Sequence, residues 1–157
     1  MRKFNLLHVD DDLNDALFLR RALEKAGLPV LYRHLTSGAS AMAYLSGQAP
    51  FNDRTRYVYP DLMALDLKMP GMSGFEVLGW IQEQTGLPNF HVAVLSSSDQ
   101  LEDRIQAFQY GAKAFFTKSL AFKELIDAIT MILPHRGFGT FPRRITPAPA
   151  YASCSAA

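Results

Sequence analysis

The chain has 157 residues, of which 48% are hydrophobic and 20% are charged, and its formal net charge is +1. This length suits one ordinary domain with a core. The near-zero charge argues against an extensive polyanion-binding surface, so we expect no nucleic-acid partner. No apolar run is long enough to cross a membrane, and the run after the basic first residues is too short for a signal peptide. The single cysteine, Cys154, excludes an internal disulfide. A cytoplasmic domain is expected.

Short apolar runs alternate with segments of helical period, a pattern typical of a parallel sheet covered by helices. We predict five strands, over 4–9, 30–35, 61–66, 90–96 and 113–117. Apolar residues recur with helical period in five segments, which we predict to be helices, over 13–27, 37–47, 73–86, 97–111 and 120–133.

Local signals refine two of these helices. In the first, the apolar stripe is expected to contain Leu13, Leu17, Leu23 and Ala26. Asp12 is expected to cap this helix, and either Ser98 or Asp99 is expected to cap the fourth.

Groups suited to chemistry follow four of the five predicted strands. Asp10 and Asp11 follow the first, Asp66 ends the third, Ser96 ends the fourth and Lys118 follows the fifth. In a doubly wound parallel sheet, these strand ends gather at one edge. Three carboxylates held together repel one another unless a cation neutralises them, and their oxygens suit Mg²⁺. The stretch around Asp66 alone favours a cap, but the four other groups favour a reactive carboxylate.

The same residues resemble a known family. "HVDDD", "LDLKMPGMSGFEVL", "VLSSSD" and "GAKAFFTKSL" resemble, in this order, the motifs of the receiver domain of two-component response regulators. The resemblance covers residues 4 to about 133. It implies an α/β, flavodoxin-like fold: a doubly wound five-stranded parallel sheet of order 2-1-3-4-5 with five helices. More narrowly, the chain resembles the stand-alone regulators that partner phytochrome histidine kinases.

The resemblance implies a phosphoryl-accepting switch rather than an enzyme, with at most slow autophosphatase activity. Asp66 would take the phosphoryl group from a sensor histidine kinase, a phytochrome on the narrower resemblance. Asp11 would bind Mg²⁺, or another divalent cation such as Mn²⁺, directly. Asp10 would bind it through water, and the backbone carbonyl of Lys68 would be a further ligand.

The resemblance also implies roles for other residues in the conformational switch and in the lifetime of the phosphate. Lys118 would neutralise charge, and Ser96 would hold the phosphate and move toward it, so that Phe115 can occupy the space left. The side chains of Lys68 and Ser98 would modulate the lifetime of the phosphate. Ser119 departs from the family, which usually has proline after this lysine.

Two other functions are open. The chain could be a receiver-like docking or dimerisation module that accepts no phosphate, but the joint presence of Asp11, Asp66, Ser96 and Lys118 argues against this. It could be an aspartyl-phosphate phosphatase of the haloacid dehalogenase kind, but those enzymes have an aspartate where this chain has Lys68. His8, inside an apolar strand, is interpreted as a core histidine.

The composition changes at Pro134. Residues 1–133 are expected to form the receiver domain, and residues 134–157 a tail without an output domain, rich in Pro, Ala, Ser and Gly. The tail also contains apolar side chains such as Phe138 and Phe141. It is therefore either a disordered end or an arm that packs on a second copy in a homodimer.

Overall fold

The computed structural model of the protein describes residues 3–118 and 121–133. Strands and helices alternate strictly along this part of the chain. The strands are β1 (Phe4–Val9), β2 (Val30–Leu35), β3 (Leu62–Asp66), β4 (His91–Ser96) and β5 (Ala114–Thr117). The helices are α1 (Leu13–Ala26), α2 (Gly38–Ser46), α3 (Gly74–Glu83), α4 (Leu101–Gln109) and α5 (Ala121–Ile132).

The five strands form one parallel sheet in the order β2-β1-β3-β4-β5, which confirms the expected fold. The strand order reverses between β1 and β3, which pair directly, with Val9 opposite Leu65. This placement brings the residues that follow β1 next to the end of β3. In open α/β sheets, ligands bind at such a switch point.

Two hydrophobic clusters sandwich the sheet because successive side chains of a strand point to opposite faces. On one face, Leu7 and Val9 of β1 pack in a cluster with side chains of α2, α3 and α4. On the other, Leu6 packs in a cluster with side chains of α1 and α5. Strands β1 and β3 are buried along their whole length, which explains why they read as continuous apolar runs rather than alternating ones.

The apolar stripe predicted for α1 is wrong for Leu13, Leu17 and Ala26, which are exposed, and right for Leu23, which is buried. Leu13 and Leu17 are 69% and 43% exposed, whereas Ala16, Leu19 and Leu23 are buried. The buried residues follow the same helical period on a different face. The helix carries apolar residues on both faces, so the period alone could not select the inner one.

Of the two helix caps predicted from the sequence, the structure confirms one. Asp12 caps α1 as predicted, with its side chain accepting hydrogen bonds from the backbone of Asn14 and Asp15. The predicted cap of α4 is wrong, since Gln100 occupies the cap position without a side-chain hydrogen bond. Ser98 instead accepts a hydrogen bond from the Gln100 amide, at 3.2 Å, one turn before the helix.

The part of the chain that the structure describes contains no helix with the length and apolar composition needed to cross a membrane. The predictions for Ser119 and for the tail, residues 134–157, lie outside the described residues.

Candidate functional site

Three carboxylates meet at the switch point of the sheet. Asp10 and Asp11 follow β1, Asp66 ends β3, and one oxygen from each lies within 4.8 Å of the others. Asp10 is fully buried and Asp66 is 4% exposed, while Asp11 is exposed. A set made only of carboxylate oxygens suits a hard divalent cation such as Mg²⁺ or Mn²⁺. The residues present therefore fit the metal that the sequence predicted.

Asp10 is held firmly. Its Oδ1 accepts a hydrogen bond from the Asp12 amide at 2.9 Å, and its Oδ2 lies 2.9 Å from the Lys118 ammonium. Its backbone oxygen accepts a 2.7 Å hydrogen bond from His34 Nε2. Burial by itself would raise the pKa of Asp10, but hydrogen bonds and the Lys118 charge outweigh it and lower the pKa to about 2. Asp10 is therefore an anion at neutral pH.

Asp66 is equally buried but held loosely. Its Oδ1 accepts a long hydrogen bond of 3.4 Å from the Lys68 amide, and its Oδ2 lies 3.5 Å from the Lys118 ammonium. Burial raises the pKa of Asp66 to about 6, with Asp10 and Asp11 adding to the rise and Lys118 opposing it. Lys118 is the largest influence that lowers this pKa, but it does not cancel the effect of burial. The carboxylate oxygens of Asp66 thus make long polar contacts with the neighbouring groups of the cluster.

Lys118 joins the cluster from the end of β5. Its ammonium lies 2.6 Å from Asp15 Oδ2, 2.9 Å from Asp10 and 3.5 Å from Asp66. Burial by itself would lower the pKa of Lys118, but the neighbouring carboxylates raise it above its ordinary value. Lys118 is therefore a permanent cation that faces three carboxylates.

Ser96 lies at the end of β4, beside the end of β5. Its side chain is fully buried, and its Oγ accepts a 3.1 Å hydrogen bond from the Ser98 amide. Its backbone oxygen accepts a 2.7 Å hydrogen bond from the Lys118 amide, which ties the serine to the lysine of the site. Ser98 is buried too, whereas Lys68 is exposed.

Phe115 lies inside the sheet rather than at the carboxylates. It is 2% exposed and belongs to the hydrophobic cluster under α2, α3 and α4. The guanidinium of Arg104, on α4, stacks over its ring at 4.9 Å from the centroid. This contact links the ring on β5 directly to α4.

Two features of the site were missed in the sequence. The sequence pattern predicts for Asp15 only a place in a helix, yet Asp15 makes the shortest ion pair with Lys118. Its position in the first turn, just after an acidic run, is the one local signal of this contact. His8 was correctly predicted to be buried, but not its environment. Its Nε2 faces Asp10 Oδ2 at 3.5 Å, and its Nδ1 lies 2.9 Å from the Tyr32 hydroxyl, which also contacts the Ala16 carbonyl.

The family described as response regulator receiver domain matches residues 6–130. The chain belongs to the response regulator receiver domain family, as the four motifs predicted.

Among curated relatives, "Response regulator Rcp1" of Synechocystis sp. is 29% identical over 79% of this chain and 82% of its own length. The crystal structure of its Mn²⁺-bound form has a TM-score of 0.71 and 27% identity, covering 88% of this chain and 99% of that chain. Both matches span more than four fifths of the relative, so the similarity is not restricted to one motif.

Two further solved structures are similar. The phosphorylated cyanobacterial phytochrome response regulator RcpA has a TM-score of 0.73 and 26% identity, covering 90% of this chain and 99% of that chain. The bacteriophytochrome response regulator AtBRR has a TM-score of 0.71 and 28% identity, covering 83% and 92%. The chain is therefore similar to phytochrome response regulators, as the narrower resemblance predicted.

Proposed function

We propose that this protein is a phosphoryl-accepting response regulator in which Asp66 takes the phosphoryl group from a histidine of a sensor kinase. The observation that carries the proposal is the contrast between the carboxylates. Among the described residues, Asp10 is held by short contacts, while Asp66, 4% exposed, has contacts of 3.4 and 3.5 Å. A weakly held carboxylate in a polar, buried site is suited to act as a nucleophile.

In the transfer, an Asp66 oxygen attacks phosphorus as the bond between phosphorus and the imidazole nitrogen breaks. The electron pair of that bond goes to the nitrogen, and a proton from solvent keeps the imidazole neutral. The Lys118 ammonium stays protonated and stabilises the negative charge on the phosphoryl oxygens. Transfer requires ionised Asp66, and a pKa of about 6 leaves it mostly ionised at neutral pH.

Asp10, Asp11 and Asp66 are proposed to hold the Mg²⁺ or Mn²⁺, with the backbone carbonyl of Lys68 as a further ligand. When bound, the cation supplies positive charge that offsets the repulsion between these carboxylates and the incoming phosphoryl group. The support is the three oxygens within 4.8 Å and the Mn²⁺-bound form of Rcp1.

The readout is proposed to run through Ser96, Phe115 and Arg104. Ser96 Oγ would leave the Ser98 amide to hydrogen-bond the phosphoryl group, and the Phe115 ring would move into the space left. Because Arg104 stacks on that ring, α4 would shift with it. The exposed Lys68 and the buried Ser98 flank the site and are proposed to modulate the lifetime of the phosphate.

The proposed kinase is of the phytochrome type, because similarity to RcpA, AtBRR and Rcp1 runs over most of the chain. Residues 1–133 are proposed to act as the receiver domain, and residues 134–157 either as a tail or as an arm that packs on a second copy.

Phosphoryl acceptance is tested with acetyl phosphate and Mg²⁺, with intact mass as the readout. Wild-type protein should gain one phosphoryl group, and Asp66→Asn should gain none. Asp53→Asn is the matched control, since Asp53 is exposed in the loop between α2 and β3. Failure of the wild type to react with acetyl phosphate and to bind beryllofluoride would contradict the proposal and favour a docking module.

The arm is tested by truncation after Leu133, with mass in solution as the readout. The full chain should be a dimer and the truncated chain a monomer. A full-length monomer, or a dimer that survives truncation, would contradict the proposed arm.

A further inference from the structure

Asp15 gives Lys118 its shortest ion pair and has no role in the mechanism above. It lies in the first turn of α1, where the Asp12 cap accepts a hydrogen bond from its amide at 3.4 Å. Its Oδ2 is 2.6 Å from the Lys118 ammonium, compared with 2.9 Å for Asp10 and 3.5 Å for Asp66. Asp15 thus holds the ammonium closer to α1 than to the proposed nucleophile.

The burial of these groups suggests which contacts can be exchanged. The Asp10 side chain is fully buried, so water cannot solvate its charge when an ion-pair partner moves away. The side chains of Asp15 and Lys118 are 21% and 19% exposed, so water can replace the contact between them. Of the two short ion pairs of Lys118, the one with Asp15 is therefore the cheaper to open.

We propose that Asp15 competes with an anion on Asp66 for the Lys118 ammonium. This inference rests on the proposed function and extends it to a residue outside the predicted site. A phosphoryl group on Asp66 brings further negative charge to the side of Lys118 where the contact is now longest. Lys118 turns toward that group, its ion pair with Asp15 opens, and the first turn of α1 loses its link to the end of β5.

The competition predicts opposite effects on anion and cation binding. Asp15→Asn keeps the size of the side chain but removes one negative charge that holds Lys118 and repels the anion. Beryllofluoride, a mimic of the phosphoryl group, should then bind about two- to fivefold more tightly at saturating Mg²⁺, as expected from the loss of one partly exposed ion pair. Mg²⁺ alone should bind about two- to fivefold more weakly, because Lys118 turns to the remaining carboxylates and the site has lost negative charge.

Both affinities are measurable by isothermal titration calorimetry on the full chain. Asp15→Glu, which keeps the charge, should stay within about twofold of wild type for both ligands. Glu24→Gln is the matched control, since Glu24 is exposed near the other end of α1 and should change neither affinity. If the role of Asp15 were purely structural, Asp15→Asn would bind both beryllofluoride and Mg²⁺ more weakly.

The outcomes separate this inference from the function on which it rests. Tighter beryllofluoride with weaker Mg²⁺ in Asp15→Asn, and not in Glu24→Gln, supports the competition. If wild type binds beryllofluoride but Asp15→Asn binds it equally or more weakly, the competition is wrong and the proposed function stands. If wild type binds no beryllofluoride with Mg²⁺ present and gains no phosphoryl group, both are overturned.

Discussion

Gly74 lies against the backbone of Asp66. A Cβ built at Gly74 would stand 2.7 Å from the Cα of Leu67 and closer still to the Asp66 carbonyl oxygen. The Gly74 amide donates a 2.9 Å hydrogen bond to the Leu67 carbonyl. Helix α3 therefore begins directly under the proposed phosphoryl acceptor, and only glycine allows this approach.

We expect Gly74→Ala to lower the free energy of unfolding by about 2–3 kcal/mol, because the added methyl group meets backbone atoms that cannot rotate away. Urea denaturation measures the change. Gly86→Ala is the control, since a Cβ there would meet nothing within 4 Å. Equal stability of the two variants would contradict the packing argument.

Replacing Asp66 by asparagine should stabilise the metal-free protein at neutral pH by about 1–3 kcal/mol. Burial raises the pKa of Asp66 to about 6, so the folded protein binds this proton more tightly than the unfolded chain. The stability that the protonated group contributes is complete below its unfolded pKa of about 4 and is lost as the pH rises through about 6.

Denaturation of wild type and Asp66→Asn in EDTA across this pH range tests whether the stability difference between them grows as the pH rises. The two proteins should be similarly stable near the unfolded pKa and should diverge as the pH rises. Asp53→Asn should show no such gain, because hydrogen bonds from Thr55 lower the pKa of Asp53 instead. Curves for wild type and Asp66→Asn that stay parallel would rule out a raised pKa.

Lys118→Met should destabilise the metal-free protein by about 1–3 kcal/mol, because the fully buried Asp10 loses a cation 2.9 Å away. Mg²⁺ can replace the missing charge, so the deficit should shrink at saturating Mg²⁺. Thermal unfolding in EDTA and in Mg²⁺ measures both. Lys113→Met, at an exposed lysine, should change little in either buffer. A deficit that Mg²⁺ leaves unchanged would argue against cation binding at these carboxylates.

Ser96→Ala should cost about 1 kcal/mol of stability, because the buried Ser98 amide loses its acceptor. Ser97→Ala, at the exposed neighbouring position, should cost almost nothing. With beryllofluoride and Mg²⁺, the NMR signals of the Phe115 ring should shift in wild type and in Ser97→Ala but not in Ser96→Ala. A full shift in Ser96→Ala would contradict the proposed readout.

The sequence determined the alternation of elements and most of the site. Asp10, Asp11, Asp66, Ser96 and Lys118 could be placed at one edge because each follows or ends an apolar strand, and parallel strands bring such ends together. The Asp12 cap was also readable, since it depends on residues two and three positions away. These features depend on short-range pattern or on a general rule of sheet topology.

Only the tertiary structure decided features that depend on contacts between distant residues. The pairing of Asp15 with Lys118 joins residues 103 positions apart. The inner face of α1 was decided by packing on the sheet, because Leu13 and Leu17 match the helical period as well as Leu19 and Leu23 do.

The electrostatic contrast between Asp10 and Asp66 is of the same kind. Both are buried aspartates at strand ends, and their motifs in the sequence do not predict how firmly each carboxylate is held. In the part of the chain that the structure describes, Asp10 has short contacts to an ammonium and an amide, and the contacts of Asp66 to the same kinds of group are longer. The pKa values of Asp10 and Asp66, about 2 and about 6, therefore depend on the groups that surround each carboxylate in the folded protein. The residue type and its place in the sequence do not predict them.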